Sequence, residues 1–164
     1  MMWVVRAGQG AVFYKKFLDE KRIFIPWDGF CSDLKDYKCL ADYRSLVEKE
    51  KNTDNQTSVS NWAGQLYSFV WEIDIGDYVL IPSKLSQTYT LCRVVGEYTF
   101  NGDEKDGLFH SRSIELITSA IPKKTMSQEL IYSLGAYRTI FKVKREDEVL
   151  RTIDKWKEQQ RNTE

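Results

Sequence analysis

Few residues in this chain could carry out chemistry. There is one histidine, His110, so neither a two-histidine scheme nor a histidine-rich metal site can be assembled. Cys31 and Cys39 lie eight residues apart with no paired Cys or His beyond them, and Cys92 stands alone, so no zinc spacing exists. No Gly-x-x-x-x-Gly-Lys-Ser/Thr loop is present, and Gly8-Gln9-Gly10 lacks the third glycine of a dinucleotide fingerprint. The tight carboxylate groups are Glu72-Ile73-Asp74 and Asp103-Glu104. A metal-dependent nuclease needs such acids beside a strand lysine, and neither group has one. The expectation is a protein with no catalytic residues, no metal and no cofactor.

The aromatic residues offer more. Trp27 stands in the turn Pro26-Trp27-Asp28-Gly29, directly after a short apolar run. A tryptophan beside a short acceptor can stack on a planar ligand while Asp28 reads its edge. It can equally cover the end of a sheet, and the residue types alone leave both readings open. Trp62 falls on the apolar face of a helix and is expected in the core. Tyr98, Phe100 and Phe109 flank a charged, glycine-containing loop and suggest a second pocket wall. Lys84, Arg112, Lys123, Lys124 and Arg138 are candidate phosphate contacts.

These side chains must be held by elements that the apolar pattern outlines. Residues 2–6 read as a buried strand, 11–19 as a helix, and 22–26 as a second strand. Asp33 can cap a helix running towards Leu46. Val59, Trp62, Leu66, Phe69 and Val70 fall at helical spacing. Strands are expected at 78–81, 88–98, 110–117 and 139–143, with a short helix near 127–132. From Glu146 the pattern becomes an amphipathic helix or the start of a linker. The division is therefore 1–145 for the domain and 146–164 for the tail, with an α+β fold.

Bulk properties exclude other classes. The 24 Lys and Arg balance 24 Asp and Glu, which argues against a protein that coats polyanions. Small basic excesses remain in 1–27 and 102–145. No run approaches 18 apolar residues, so no membrane span is expected. The cysteines are read as reduced thiols, and the protein as cytoplasmic.

Several segments, in order, carry a resemblance: Met-Trp-Val-Val-Arg-Ala-Gly at the start, Ile25-Pro26-Trp27-Asp28, Gly64-Gln65-Leu66-Tyr67-Ser68-Phe69, and Ile75-Gly76-Asp77-Tyr78-Val79 with Pro82-Ser83-Lys84. Gly96-Glu97-Tyr98, His110-Ser111-Arg112 and Ser133-Leu134-Gly135 complete the set. Over residues 2–145 the chain resembles the EVE/YTH-like domains of the PUA superfamily found at the N-termini of modification-dependent restriction proteins of the Mrr and McrB kinds. The resemblance implies a small curved β-barrel of five to six strands flanked by helices. It also implies a reader that flips a modified base of double-stranded DNA into an aromatic pocket and leaves cleavage to a separate nuclease or motor domain or subunit.

Carried onto this sequence, Trp27 matches the cage tryptophan, and Tyr98 and Phe100 take the place of another wall. Arg6, Gln9 and Ser83 would line the rim with Asp28, and Lys84, Arg112, Lys123 and Lys124 would hold the DNA backbone. Related readers often have Trp at the second wall, where this chain has Tyr and Phe. The expected function is a non-catalytic specificity module in a restriction or defence system. The alternatives are a reader of modified RNA and a protein-interaction domain.

Overall fold

The first strand shows how the sheet is built. In β1 (Met2–Val5) all four side chains are buried, Trp3 and Val5 in one core, Met2 and Val4 in another. A strand covered on both faces reads as an unbroken apolar run, as Met-Trp-Val-Val does. β3 (Tyr78–Ser83) lies parallel to it and β7 (Ile140–Lys142) antiparallel on its other side. The other strands are β2 (Arg22–Phe24), β4 (Thr88–Val94), β5 (Thr99–Phe100) and β6 (His110–Pro122). They pair in the order β2-β6-β4-β3-β1-β7, with β5 beside β6. The computed structural model describes residues 1–163. It is an α+β fold in which the six strands of that path, with β5 beside β6, curl into a half-barrel flanked by five helices, a small PUA-like curved barrel.

The two faces of the sheet divide the helices. α1 (Tyr14–Glu20), α2 (Leu40–Lys51) and α3 (Gln56–Tyr67) contribute Phe17, Tyr43, Leu46, Val47, Val59, Ala63 and Leu66 to the first core. α4 (Gln128–Leu134) and α5 (Glu146–Asn162) contribute Leu130, Leu134, Val149 and Ile153 to the second. The tail segment is thus a packed helix, with Trp156 also against that core. Asn55 caps α3 at the Ser58 N–H and Ser127 caps α4 at the Leu130 N–H, satisfying otherwise orphaned donors.

Three elements depart from the pattern. The helix expected from Asp33 is broken: a 3₁₀ turn spans Leu34–Asp36, and α2 starts only at Leu40. The cause is tertiary, because the Leu34 N–H donates to the Tyr98 hydroxyl and the Tyr43 hydroxyl donates to the Leu34 carbonyl. α3 ends in a π-turn over Ser68–Glu72, closed by the Ile73 N–H donating to the Ser68 carbonyl. β4 stops at Val94, whereas β6 runs on to Pro122 with register shifts against β4.

Two buried polar groups correct the sequence reading. Arg112 is 3% exposed, and its guanidinium donates to the carbonyls of Gly96, Phe69 and Ile73. It is therefore a cross-brace between the π-turn segment and β6, not a phosphate contact. Tyr98 is equally internal. Its oxygen accepts from the Leu34 N–H, and the Phe30 carbonyl can only accept, so His110 Nε2–H donates to that carbonyl at 2.5 Å and Nδ1 of the neutral ring accepts from the Tyr98 O–H at 2.6 Å. Phe100 packs beside His110 and Phe109. Tyr98 and Phe100 are thus part of an internal aromatic cluster, not a pocket wall, because the β5–β6 hairpin folds back onto the first core.

This arrangement needs a neutral imidazole. Burial pushes His110 below its ordinary pKa of 6.5, against the smaller opposing effects of the Phe30 carbonyl and Asp33. The unfolded chain takes up a proton near the ordinary value, and the folded chain only at lower pH. The stabilisation is therefore fully present above about pH 6.5 and is lost as pH falls from there towards the folded value, with a slope of at most about 1.4 kcal/mol per unit. Denaturant titrations at several pH values should show wild type losing stability relative to His110→Gln below that point. A pH-independent difference would show that the histidine is not held neutral.

Candidate functional site

Where the loop after β1, the turn after β2, α3, the β3–β4 hairpin and the loop after α4 converge, the structure has one large cavity of about 690 Å³. That is within the range of small-molecule and cofactor pockets, and larger than one ring needs. Its aromatic wall is a tryptophan pair. Trp27 and Trp62 lie with ring centroids 4.3 Å apart and planes inclined at 54°, and Phe30 backs Trp27 at 6.5 Å. The Lys51 ammonium sits 4.3 Å from the centre of the Trp62 ring and donates to the Asp28 carbonyl at 3.5 Å.

Local sequence explains how the walls are held. Gly8 has φ 83 and ψ 173, a conformation open essentially to glycine alone, and a Cβ there would meet Phe13 and Val12 at 2.9 Å. This lets the segment from Arg6 to Ala11 turn sharply at the cavity. Gly29 has φ 85 and turns the chain directly after Trp27-Asp28. Gln65, almost wholly buried, accepts from the Thr139 and Ile140 N–H groups at 2.9 Å, which ties the loop after α4 to α3.

The electrostatics are one-sided. Arg6, Lys51, Lys84, Lys123 and Arg138 line the cavity against the single carboxylate of Asp28. With 24 cations and 24 carboxylates in the chain, this leaves 19 against 23 elsewhere. Charge that is balanced overall is therefore focused at one opening. Arg6 carries the sharpest signal: its Nε is buried without a hydrogen-bond partner among the described residues. Burial lowers its pKa, with Tyr89 acting in the opposite direction. An acceptor in the cavity, a ligand atom or a water, would satisfy this donor.

The structure brings Arg6, Gln9, Trp27, Asp28, Ser83, Lys84 and Lys123 to this one site. Tyr98, Phe100 and Arg112 are elsewhere, and Lys124 is exposed but does not line the cavity. Lys15 and Lys16 are engaged too: Lys15 pairs with Asp19, and Lys16 with Glu20, Glu104 and Asp106. Trp62, which the helical pattern assigned to the core, packs against the first core and also forms half of the wall. Asn61, Lys51 and Tyr137 were not legible as site residues.

A family model described as a domain of unknown function, DUF8426, matches residues 3–144. This chain belongs to the DUF8426 family. The matched stretch of this DUF8426 domain runs from β1 through β7 and contains every residue that lines the cavity, and α5 follows it. No curated protein and no solved structure matches the chain.

Proposed function

We propose that this domain is a non-catalytic reader of a modified base in double-stranded DNA, as its resemblance to EVE/YTH-like domains suggests. The observation that supports it best is the cavity itself, in which a tryptophan pair and five cations meet one carboxylate in an otherwise balanced chain. A base turned out of the duplex stacks on the tryptophans, and Asp28, Gln9, Ser83 and Arg6 supply polar contacts to its edge. Burying a methyl group there contributes about 1 kcal/mol, enough to discriminate. Flipping costs a few kcal/mol, offset by stacking and by Lys84, Lys123 and Arg138 on the flanking phosphates. On this reading the protein works in the cytoplasm within a restriction or defence system, and a nuclease or motor domain or subunit performs the cleavage. No helix is long and apolar enough to cross a membrane among the described residues.

The test is a binding panel at several salt concentrations, with one duplex carrying N6-methyladenine, 5-methylcytosine, 5-hydroxymethylcytosine or no modification, and a methylated single-stranded RNA. Preference for one modified duplex is expected. Preference for the RNA would move the domain to the RNA-reading class, and equal weak binding to all would exclude base reading. Lys84→Ala, Lys123→Ala and Arg138→Ala should each weaken modified and unmodified duplexes alike and reduce the salt slope by about one unit. Wild-type slopes in all three variants would locate the phosphate contacts elsewhere.

A further inference from the structure

The β3–β4 hairpin, whose Ser83, Lys84 and Gln87 line the cavity, carries an exposed apolar side chain at its tip. Leu85 is 97% exposed at the tip of the β3–β4 hairpin, directly after Lys84. An isolated exposed leucine needs no explanation, but the turn that carries this one is held by several hydrogen bonds. The Ser86 hydroxyl donates to Ser83 Oγ at 2.9 Å and lies 2.7 Å from Thr88 Oγ1. Gln87 Nε2 donates to the Lys84 carbonyl at 2.6 Å, and the Gln87 carbonyl accepts from the Lys123 N–H at 2.9 Å. The last bond ties the hairpin to the second cationic edge of the cavity. The leucine is thus presented on a fixed support that carries Lys84 and is bonded to the Lys123 backbone. On the loop after α4, which also lines the cavity, Tyr137 is 99% exposed beside Arg138.

A duplex held at this mouth by its phosphates and with one base turned into the cavity has a gap in its stack. Apolar side chains fill such gaps in proteins that distort DNA, replacing the lost stacking and preventing the base from returning. We propose that Leu85 is the wedge that enters the duplex in place of the flipped base, with Lys84 and Lys123 fixing the backbone on either side. The wedge rests on the base-flipping reading. It assigns to the β3–β4 hairpin the opening of the duplex, separate from recognition of the base by Trp27 and Trp62.

A single strand needs no opening, so the two roles separate by substrate. Leu85→Ala and Leu85→Met would be measured against wild type on duplexes with one N6-methyladenine or one 5-methylcytosine and on the matching single strands. Leu85 touches no core, so both variants should fold. Leu85→Ala is expected to lose about tenfold in affinity for the preferred modified duplex, the equivalent of part of the unstacking cost. It should keep wild-type affinity for the modified single strand, and Leu85→Met should retain most of the duplex affinity. Unchanged duplex binding by Leu85→Ala, or an equal loss on the single strand, would overturn the wedge while leaving base reading intact. A wild type that prefers no modified substrate would overturn the reading, and the wedge with it.

Discussion

Trp27→Ala should cost at least about 1 kcal/mol in binding to modified DNA, the low end for one base–aromatic stack, and as much as about 3 kcal/mol. The loss should fall on the modified duplex, so that preference over the unmodified one collapses while the salt slope stays near wild type. Trp27 is half-buried and packs against Trp62 and Phe30, so a modest fall in melting temperature should accompany the change. Lys51 stays with Trp62 and Phe30, so the variant retains part of the wall. Titrating both duplexes at two salt concentrations, with melting curves alongside, separates lost stacking from lost folding. Unchanged affinity for the modified duplex would remove Trp27 from the site.

Arg112→Ala should have the larger effect on stability, on the order of 3 kcal/mol, because three backbone carbonyls lose their donors inside the protein. Lysine should not restore it, since one ammonium cannot span the Gly96, Phe69 and Ile73 carbonyls as the planar guanidinium does. A surface phosphate contact would behave in the opposite way, with stability within about 0.5 kcal/mol of wild type and weaker DNA binding. Denaturant unfolding of Arg112→Ala and Lys84→Ala side by side makes the comparison. If Arg112→Ala unfolds like wild type, the buried brace is not supporting the π-turn.

What the sequence made legible followed from local pattern. The apolar runs Met2 to Val5 and Tyr78 to Ile81 and the helical spacing from Val59 to Val70 each declare an element. Trp27-Asp28 was readable because Gly29 marks a turn. Tyr98 and Arg112 were misread because partners from distant segments decide the role of a polar group. The phenol is taken by Leu34 and His110, and the guanidinium by carbonyls that a π-turn exposes, and no spacing rule encodes either. Trp62 was half legible. Its place on the apolar face of α3, against the first core, was visible, but not that its ring also borders a cavity. Sign and number of charges were plain from composition, whereas their focusing at one opening depends on loops far apart in the chain.

The strand order carries a consequence for how the protein is made. β1 lies between β3 and β7, pairing Met2 with Tyr78 and Val4 with Phe141. Of the strands of this sheet β1 is made first, and it lacks one neighbour until β7 has emerged, on the order of ten seconds later at ordinary elongation rates. During that interval an apolar segment with unpaired backbone groups is open to other chains. Contacts this far apart in sequence also slow the final closure, because the loop entropy is lost before the pairing is gained. Nascent chains released before residue 140 lack the partner that seals β1, and they are the species on which chaperones would act.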